Sequence, residues 1–170
     1  GPGYIATPQT APLRERQPRG FLGPREFAPR DRTEQLFQRC VVSGAVDFIF
    51  GGANAVFEDC ELICKKRPSG ARGYIAAPCT PEGELGMVFL RCRVRGEEGC
   101  ADGGYALGRP WREHAAAAFV RCELGACVSA EGFAPWNAQA LPPEARFAVA
   151  ACVGSARMEG EFQPARGARL

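Results

Sequence analysis

Histidine is almost missing from this chain, with His114 the single copy among 170 residues. A zinc site of mixed histidine and cysteine ligands therefore has too few donors, and the Cys60-x3-Cys64 spacing has no second tight pair to complete four ligands. Long apolar runs are missing too: none approaches the roughly twenty residues that a bilayer-spanning helix needs, so no membrane segment is expected. The first residues do not pair a basic stretch with a hydrophobic one, as a signal peptide would. The chain opens on Gly1 rather than methionine and is expected to begin inside a larger protein. Charge of one sign is scarce: the net value is +2 and the arginines are scattered, which argues against a nucleic-acid partner. Helical periodicity is absent from every long window, and the alanine run 115–118 reads as part of a strand ending in Phe119-Val120.

What remains is an ordinary globular composition, 46% hydrophobic and 24% charged, long enough for one domain with a sizeable core. Nine cysteines stand out, and their spacing carries a repeat. Phe37-x-x-Cys40, Phe57-x-x-Cys60, Phe89-x-x-Cys92 and Phe119-x-x-Cys122 share one pattern, and Val42, Leu62, Val94 and Leu124 follow two residues after each cysteine. A short strand with period-two alternation cannot bury its own apolar face, so repeated strands of this kind are expected to stack in register on one another. Gly51-Gly52, Pro68-Ser69-Gly70, Pro81-Glu82-Gly83 and Gly103-Gly104 punctuate the gaps. The expected architecture is all-β, a right-handed single-stranded parallel β-helix over 36–155, incomplete at its N-terminal end. Residues 1–35, rich in proline and arginine, read as an irregular segment with a long loop, and 156–170 as a C-terminal tail. Cys40 and Cys60 fall on adjacent turns, where strands lie about 4.8 Å apart. Either a disulfide or a ladder of buried thiols fits that placement.

Two segments carry chemistry. Residues 44–51 read Gly-Ala-Val-Asp-Phe-Ile-Phe-Gly, setting one carboxylate, Asp47, in a glycine-bounded apolar run. Moving a carboxylate into such a setting costs several kcal/mol, of order 2–7 for a polar group left without a hydrogen bond and more for a charge, so a partner or a use is expected. Residues 105–111 read Tyr-Ala-Leu-Gly-Arg-Pro-Trp, where a rigid proline separates the guanidinium of Arg109 from the flat face of Trp111. Arginine grips a carboxylate with two parallel hydrogen bonds, and tryptophan offers the kind of surface on which sugar rings stack. The plainer readings are a buried carboxylate capping backbone amides, an arginine satisfied by a carbonyl and a tryptophan plugging the core.

The two motifs together resemble the pectin methylesterase family. Phe-Glu-Asp-Cys at 57–60, Gly-Tyr-Ile-Ala-Ala-Pro at 73–78 and Ala-Arg-Phe at 145–147 extend the resemblance over the chain from about Gly20 onward. It implies the parallel β-helix and the hydrolysis of galacturonate methyl esters in pectin, with methanol released. It also implies that Asp47 attacks the ester carbonyl to form an acyl-enzyme, while Arg109 pairs with that carboxylate and holds it ionised. Trp111 would shape the sugar subsite, and Arg67 and Tyr74 fall where the family lines its substrate groove. No cofactor or metal is implied. The partner would be methylated homogalacturonan, the parent protein a secreted monomer, and action outside the cell would favour the Cys40–Cys60 bridge.

One motif departs from the family. Gly3-Tyr4-Ile5-Ala6-Thr7-Pro8 through Leu13 is similar to the segment that supplies a glutamine for the oxyanion and a second aspartate as general acid, in the form a bacterial branch uses. On that alignment the glutamine is Ile5 and the acid is Ala6, and neither has the donor or proton required. Three readings follow: an esterase domain shortened at its N-terminal end, a pectate-binding module that lacks the general acid, and a purely structural β-helix segment.

Overall fold

The computed structural model describes residues 5–8, 34–137 and 140–154. Three strands per turn build the coil. The first turn runs β2 (Glu34–Gln38), β3 (Cys40–Gly44) and β4 (Val46–Gly51). The second follows with β5 (Asn54–Glu58), β6 (Glu61–Cys64) and β7 (Gly73–Pro78), and the third with β8 (Met87–Leu90), β9 (Arg93–Gly96) and β10 (Tyr105–Gly108). A fourth holds β11 (Ala116–Val120) and β12 (Glu123–Leu124), and β13 (Arg146–Ala150) and β14 (Val153–Gly154) close the described coil. These strands stack in parallel as three sheets, ordered β2-β5-β8-β11-β13, β3-β6-β9-β12-β14 and β4-β7-β10. The result is a right-handed parallel β-helix of about four turns.

The Phe-x-x-Cys repeat sets the register. Phe37, Phe57, Phe89 and Phe119 lie opposite one another in successive strands. Their rings stack at centroid separations of 4.6, 4.9 and 4.3 Å. Val42, Leu62, Val94 and Leu124 form a second column, all buried. Between the columns the chain turns on one residue in the left-handed region, Arg39, Asp59, Arg91, Arg121 or Ala151, with φ between 51° and 53°. The last of these reveals a fifth copy of the corner, Val149-Ala150-Ala151-Cys152, in which Val149 takes the ring's place in register with Phe119. The alanine run lies in β11 and is buried, in line with its strand reading.

All nine cysteines are free thiols, so the Cys40–Cys60 bridge is not formed. The corner aims each thiol at a backbone acceptor instead. Cys60 Sγ donates to Phe37 O, Cys92 Sγ to Phe57 O, Cys122 Sγ to Phe89 O and Cys152 Sγ to Phe119 O, at 3.2–3.3 Å. Each cysteine thus bonds to the carbonyl of the phenylalanine one turn earlier, which satisfies a buried polar hydrogen without a covalent link.

The 1–35 stretch, read from sequence as irregular, contributes β1 (Ile5–Pro8), and β2 begins at Glu34. β1 pairs antiparallel with β3, Ile5 opposite Ser43 and Ala6 opposite Val42. Strand pairing of this kind uses backbone groups, so an edge accepts a segment that shows no alternation in its sequence. The 156–170 tail lies outside the described residues.

Candidate active site

Asp47 owes its orientation to a bulge. Along the pairing of β4 with β7, Val46 lies opposite Tyr74 and Ile49 opposite Ala76, so Asp47 and Phe48 together face one residue. An extra residue of this kind bends the strand and re-aims a side chain. Asp47 adopts φ 50°, a left-handed conformation uncommon for a residue with a Cβ. Phe48 turns into the core, 6% exposed, and presses on Gly44, where an added Cβ would sit 2.2 Å from Phe48 Cβ. The glycine that opens the motif is therefore required by the phenylalanine that follows the aspartate. With Phe48 inward, Asp47 points outward.

Arg109 arrives from two turns further along the coil. Its backbone N–H donates to Ala76 O and that of Trp111 to Pro78 O, at 2.9 and 3.0 Å, which carries strand-like pairing beyond β10. Arg109 Nε donates to Asp47 Oδ1 at 2.9 Å and Nη2 to Oδ2 at 2.6 Å, the two-pronged geometry expected of a guanidinium on a carboxylate. The pair is largely sheltered, the side chains being 17% and 21% exposed for Arg109 and Asp47. Burial works against the Arg109 charge, but the hydrogen bonds and charge of Asp47 outweigh it and raise its pKa above the ordinary guanidinium value.

Two aromatic rings pack against that guanidinium. Its carbon lies 4.0 Å from the Tyr74 centroid and 4.2 Å from the Trp136 centroid, within the range of cation–π attraction. Trp111 stands beside this group, edge-on to the half-exposed Phe50 at 6.2 Å. Trp111 and Trp136 line a cleft of about 310 Å³ with Pro110 and Arg112.

Four of the five residues singled out from sequence thus gather at one patch, Asp47, Arg109, Tyr74 and Trp111. Arg67 stands apart. It lines a larger cleft, about 490 Å³, with Arg72, Cys100, Tyr105, Ser129 and Glu131, and none of the other four lines it. His114 sits half-buried in the loop after Trp111, with Nε2 3.7 Å from Glu113 Oε1. Trp136 and Phe50 were not identified from sequence as site residues. For Trp136 a signal exists: Pro135-Trp136 repeats Pro110-Trp111. The bridge between Gly108 and Phe133, with Ala134 N–H donating to Gly108 O, puts the second dipeptide one turn above the first.

Ile5 and Ala6 pair with β3, in a different sheet from β4, so the stretch aligned with the family's acid motif does not continue the sheet that carries Asp47. Among the described strands, β4 is the edge of its sheet.

Known proteins resemble this chain in sequence and in fold. The family model described as Pectinesterase matches residues 30–150. A probable pectinesterase/pectinesterase inhibitor 64 of Arabidopsis thaliana is 35% identical over 132 residues, covering 69% of this chain and 22% of the relative. Probable pectinesterase 29 of the same plant is 34% identical over 140 residues, covering 80% and 40%. The solved pectin methylesterase from carrot superposes with a TM-score of 0.68 at 23% identity, over 75% of this chain and 42% of that one. The chain spans less than half the length of each of these proteins. Because the family model matches residues 30–150, most of this chain, the chain belongs to the pectinesterase family.

Proposed function

We propose that this chain is the part of a pectinesterase that carries the nucleophile, acting on galacturonate methyl esters of pectin. The observation that carries the reading is the bulged, left-handed Asp47 held by both prongs of Arg109 on the outer face of the coil. A carboxylate attacks an ester only with a lone pair aimed outward, and the bulge supports that aim while the guanidinium fixes the plane of the carboxylate. In this reading Asp47 adds to the ester carbonyl, the tetrahedral oxyanion collapses, methanol leaves, and water hydrolyses the acyl-enzyme. Tyr74, Trp111 and the half-exposed Phe50 form apolar walls against which a sugar ring packs, and Arg67 in the neighbouring cleft offers charge to a carboxylate of the polymer.

Protonation of the departing methoxide and stabilisation of the oxyanion call for groups that Ile5 and Ala6 do not carry. In this reading those groups come from the rest of the parent protein. Pectin lies outside cells, so the reading carries a secreted, cell-wall-directed parent, acting as a monomer on methylated homogalacturonan without a cofactor.

The deciding experiment measures methanol released from methylated pectin by the parent protein and by its Asp47→Asn variant. Release by the first and not the second is expected. Equal release by both would remove Asp47 from the chemistry, and binding of polygalacturonate without any release by the parent would make it a binding module.

A further inference from the structure

The Asp47–Arg109 pair spans the first and third turns of the coil, yet one contact on it comes from the fourth. Trp136 lies beyond the Gly108–Phe133 bridge and brings its ring centroid to 4.2 Å from the guanidinium carbon, while Tyr74, fixed on β7 by its register with Val46, comes to 4.0 Å from it. We propose that Trp136 is a positioning residue for this site, acting through Arg109: it completes an aromatic pair that holds the guanidinium in the one plane where both prongs meet Asp47. The inference rests on Asp47 being the nucleophile only for its bearing on catalysis, not for the clamp itself.

The physical case begins with what two hydrogen bonds leave undefined. A guanidinium on a carboxylate at a partly open surface can still tilt about the axis joining them, and each tilt lets water reach one of the prongs. Two rings with centroids 4.0 and 4.2 Å from the guanidinium carbon restrict that freedom, because a tilt that drives the group into either ring is resisted. The attraction is electrostatic as well as steric, since the negative face of each ring meets the delocalised positive charge. Arg109 is the residue for this arrangement because lysine has no flat face to stack and no fork to hold.

Position makes the contact informative. Trp136 is 36% exposed and also lines the cleft that Trp111 borders, so the ring that steadies Arg109 is one that a ligand in that cleft would touch. A sugar packing there would press Trp136 onto Arg109 and stiffen the nucleophile's partner at the moment of binding.

The test follows the Arg109 Nε–H in chain labelled with 15N-arginine, its signal identified by its loss in Arg109→Lys. Exchange of that hydrogen with water is expected to accelerate roughly tenfold in Trp136→Ala, the size of effect that a partly exposed cation–π contact, between the exposed and the desolvated limits, corresponds to. Trp136→Phe should restore slow exchange to within about threefold, since it keeps a smaller π face, and Trp136→Leu should not, since it keeps bulk alone. Equal protection by leucine and phenylalanine would overturn the proposal in favour of simple packing, and so would unchanged exchange in the alanine variant. The leucine and phenylalanine pair keeps the test decisive if alanine unfolds the loop. The exchange reading needs no turnover, so a parent that releases no methanol yet shows this pattern sinks the esterase reading and supports the clamp.

Discussion

Asp47 and Arg109 lie sixty-two positions apart in the chain and share two hydrogen bonds, 2.9 and 2.6 Å long. Removing either partner leaves the other charge sheltered and unpaired, which costs more than the pair itself contributes. Arg109→Ala is expected to lower folding stability by about 2–4 kcal/mol, and Asp47→Ala by about 1–3. The double variant should lose less than the sum, with a coupling of about 1–3 kcal/mol read from urea unfolding of all four proteins. Additive losses would mean that the two prongs contribute nothing in solution.

Gly44→Ala tests the bulge without touching a charged group. The new Cβ would meet Phe48 Cβ at 2.2 Å, a backbone-proximal clash that a rotamer change cannot relieve. Phe48 must move, and Asp47 moves with it. Stability should fall by about 2–3 kcal/mol, as for overpacked cores, and binding or turnover of pectin by the parent should fall further than stability explains. Gly44→Ala with Phe48→Gly should recover part of the activity loss, because glycine removes the Cβ that is struck.

Phe89 sits in the middle of the ring column, fully buried, stacked on Phe57 at 4.9 Å and on Phe119 at 4.3 Å. Replacing it by alanine should cost about 3–5 kcal/mol, the range for deleting a buried aromatic. Phe37→Ala, at the end of the column and half-buried, should cost clearly less. Thermal melts of the two variants check the order, and equal losses would contradict a column whose middle is its most buried part.

The thiol ladder makes stability fall in alkali. Burial and neighbouring thiols push Cys40 and Cys60 up, and the Cys122 thiol, first among the causes, raises Cys92 from 9.0 to about 12. The folded chain therefore keeps protons that the unfolded chain releases above about pH 8.5. Stability should be level below that pH and decline as pH rises towards 12, since the folded state then binds more protons than the unfolded one. Cys92→Ala should flatten the alkaline slope even though it costs stability at pH 7.

The repeat was legible because each turn spends the same residues on the same corner: an aromatic inward, a thiol inward, an apolar residue two further on. The fifth copy escaped because Val149 replaces the ring, and the shared feature there is a backbone angle at Ala151, which leaves no mark in residue type. Asp47 and Arg109 were legible as a pair because a charged group inside an apolar run needs an explanation. Trp136 was not, since its contact with Arg109 depends on a bridge one turn away, and only the second Pro-Trp hinted at it. β1 was hidden for a different reason: its bonds to β3 are made by backbone, which sequence alternation does not report. The Cys40–Cys60 bridge is not formed although the two thiols are neighbours, for each donates to a backbone carbonyl, Gln38 O and Phe37 O.

The one-residue corner before each ladder cysteine has a consequence for how such a chain can change over generations. The connections 65–72 and 97–104 are exposed or half-buried throughout, so additions there displace little besides themselves. An addition beside Arg39, Asp59, Arg91, Arg121 or Ala151 would shift the ring column against the thiol column and spoil every turn that follows. Gaps among relatives should therefore crowd into those connections, which also border the Arg67 cleft, while the corner keeps constant time like the beat of a metronome. Variation then gathers where length is free, and the fold is kept where it is not.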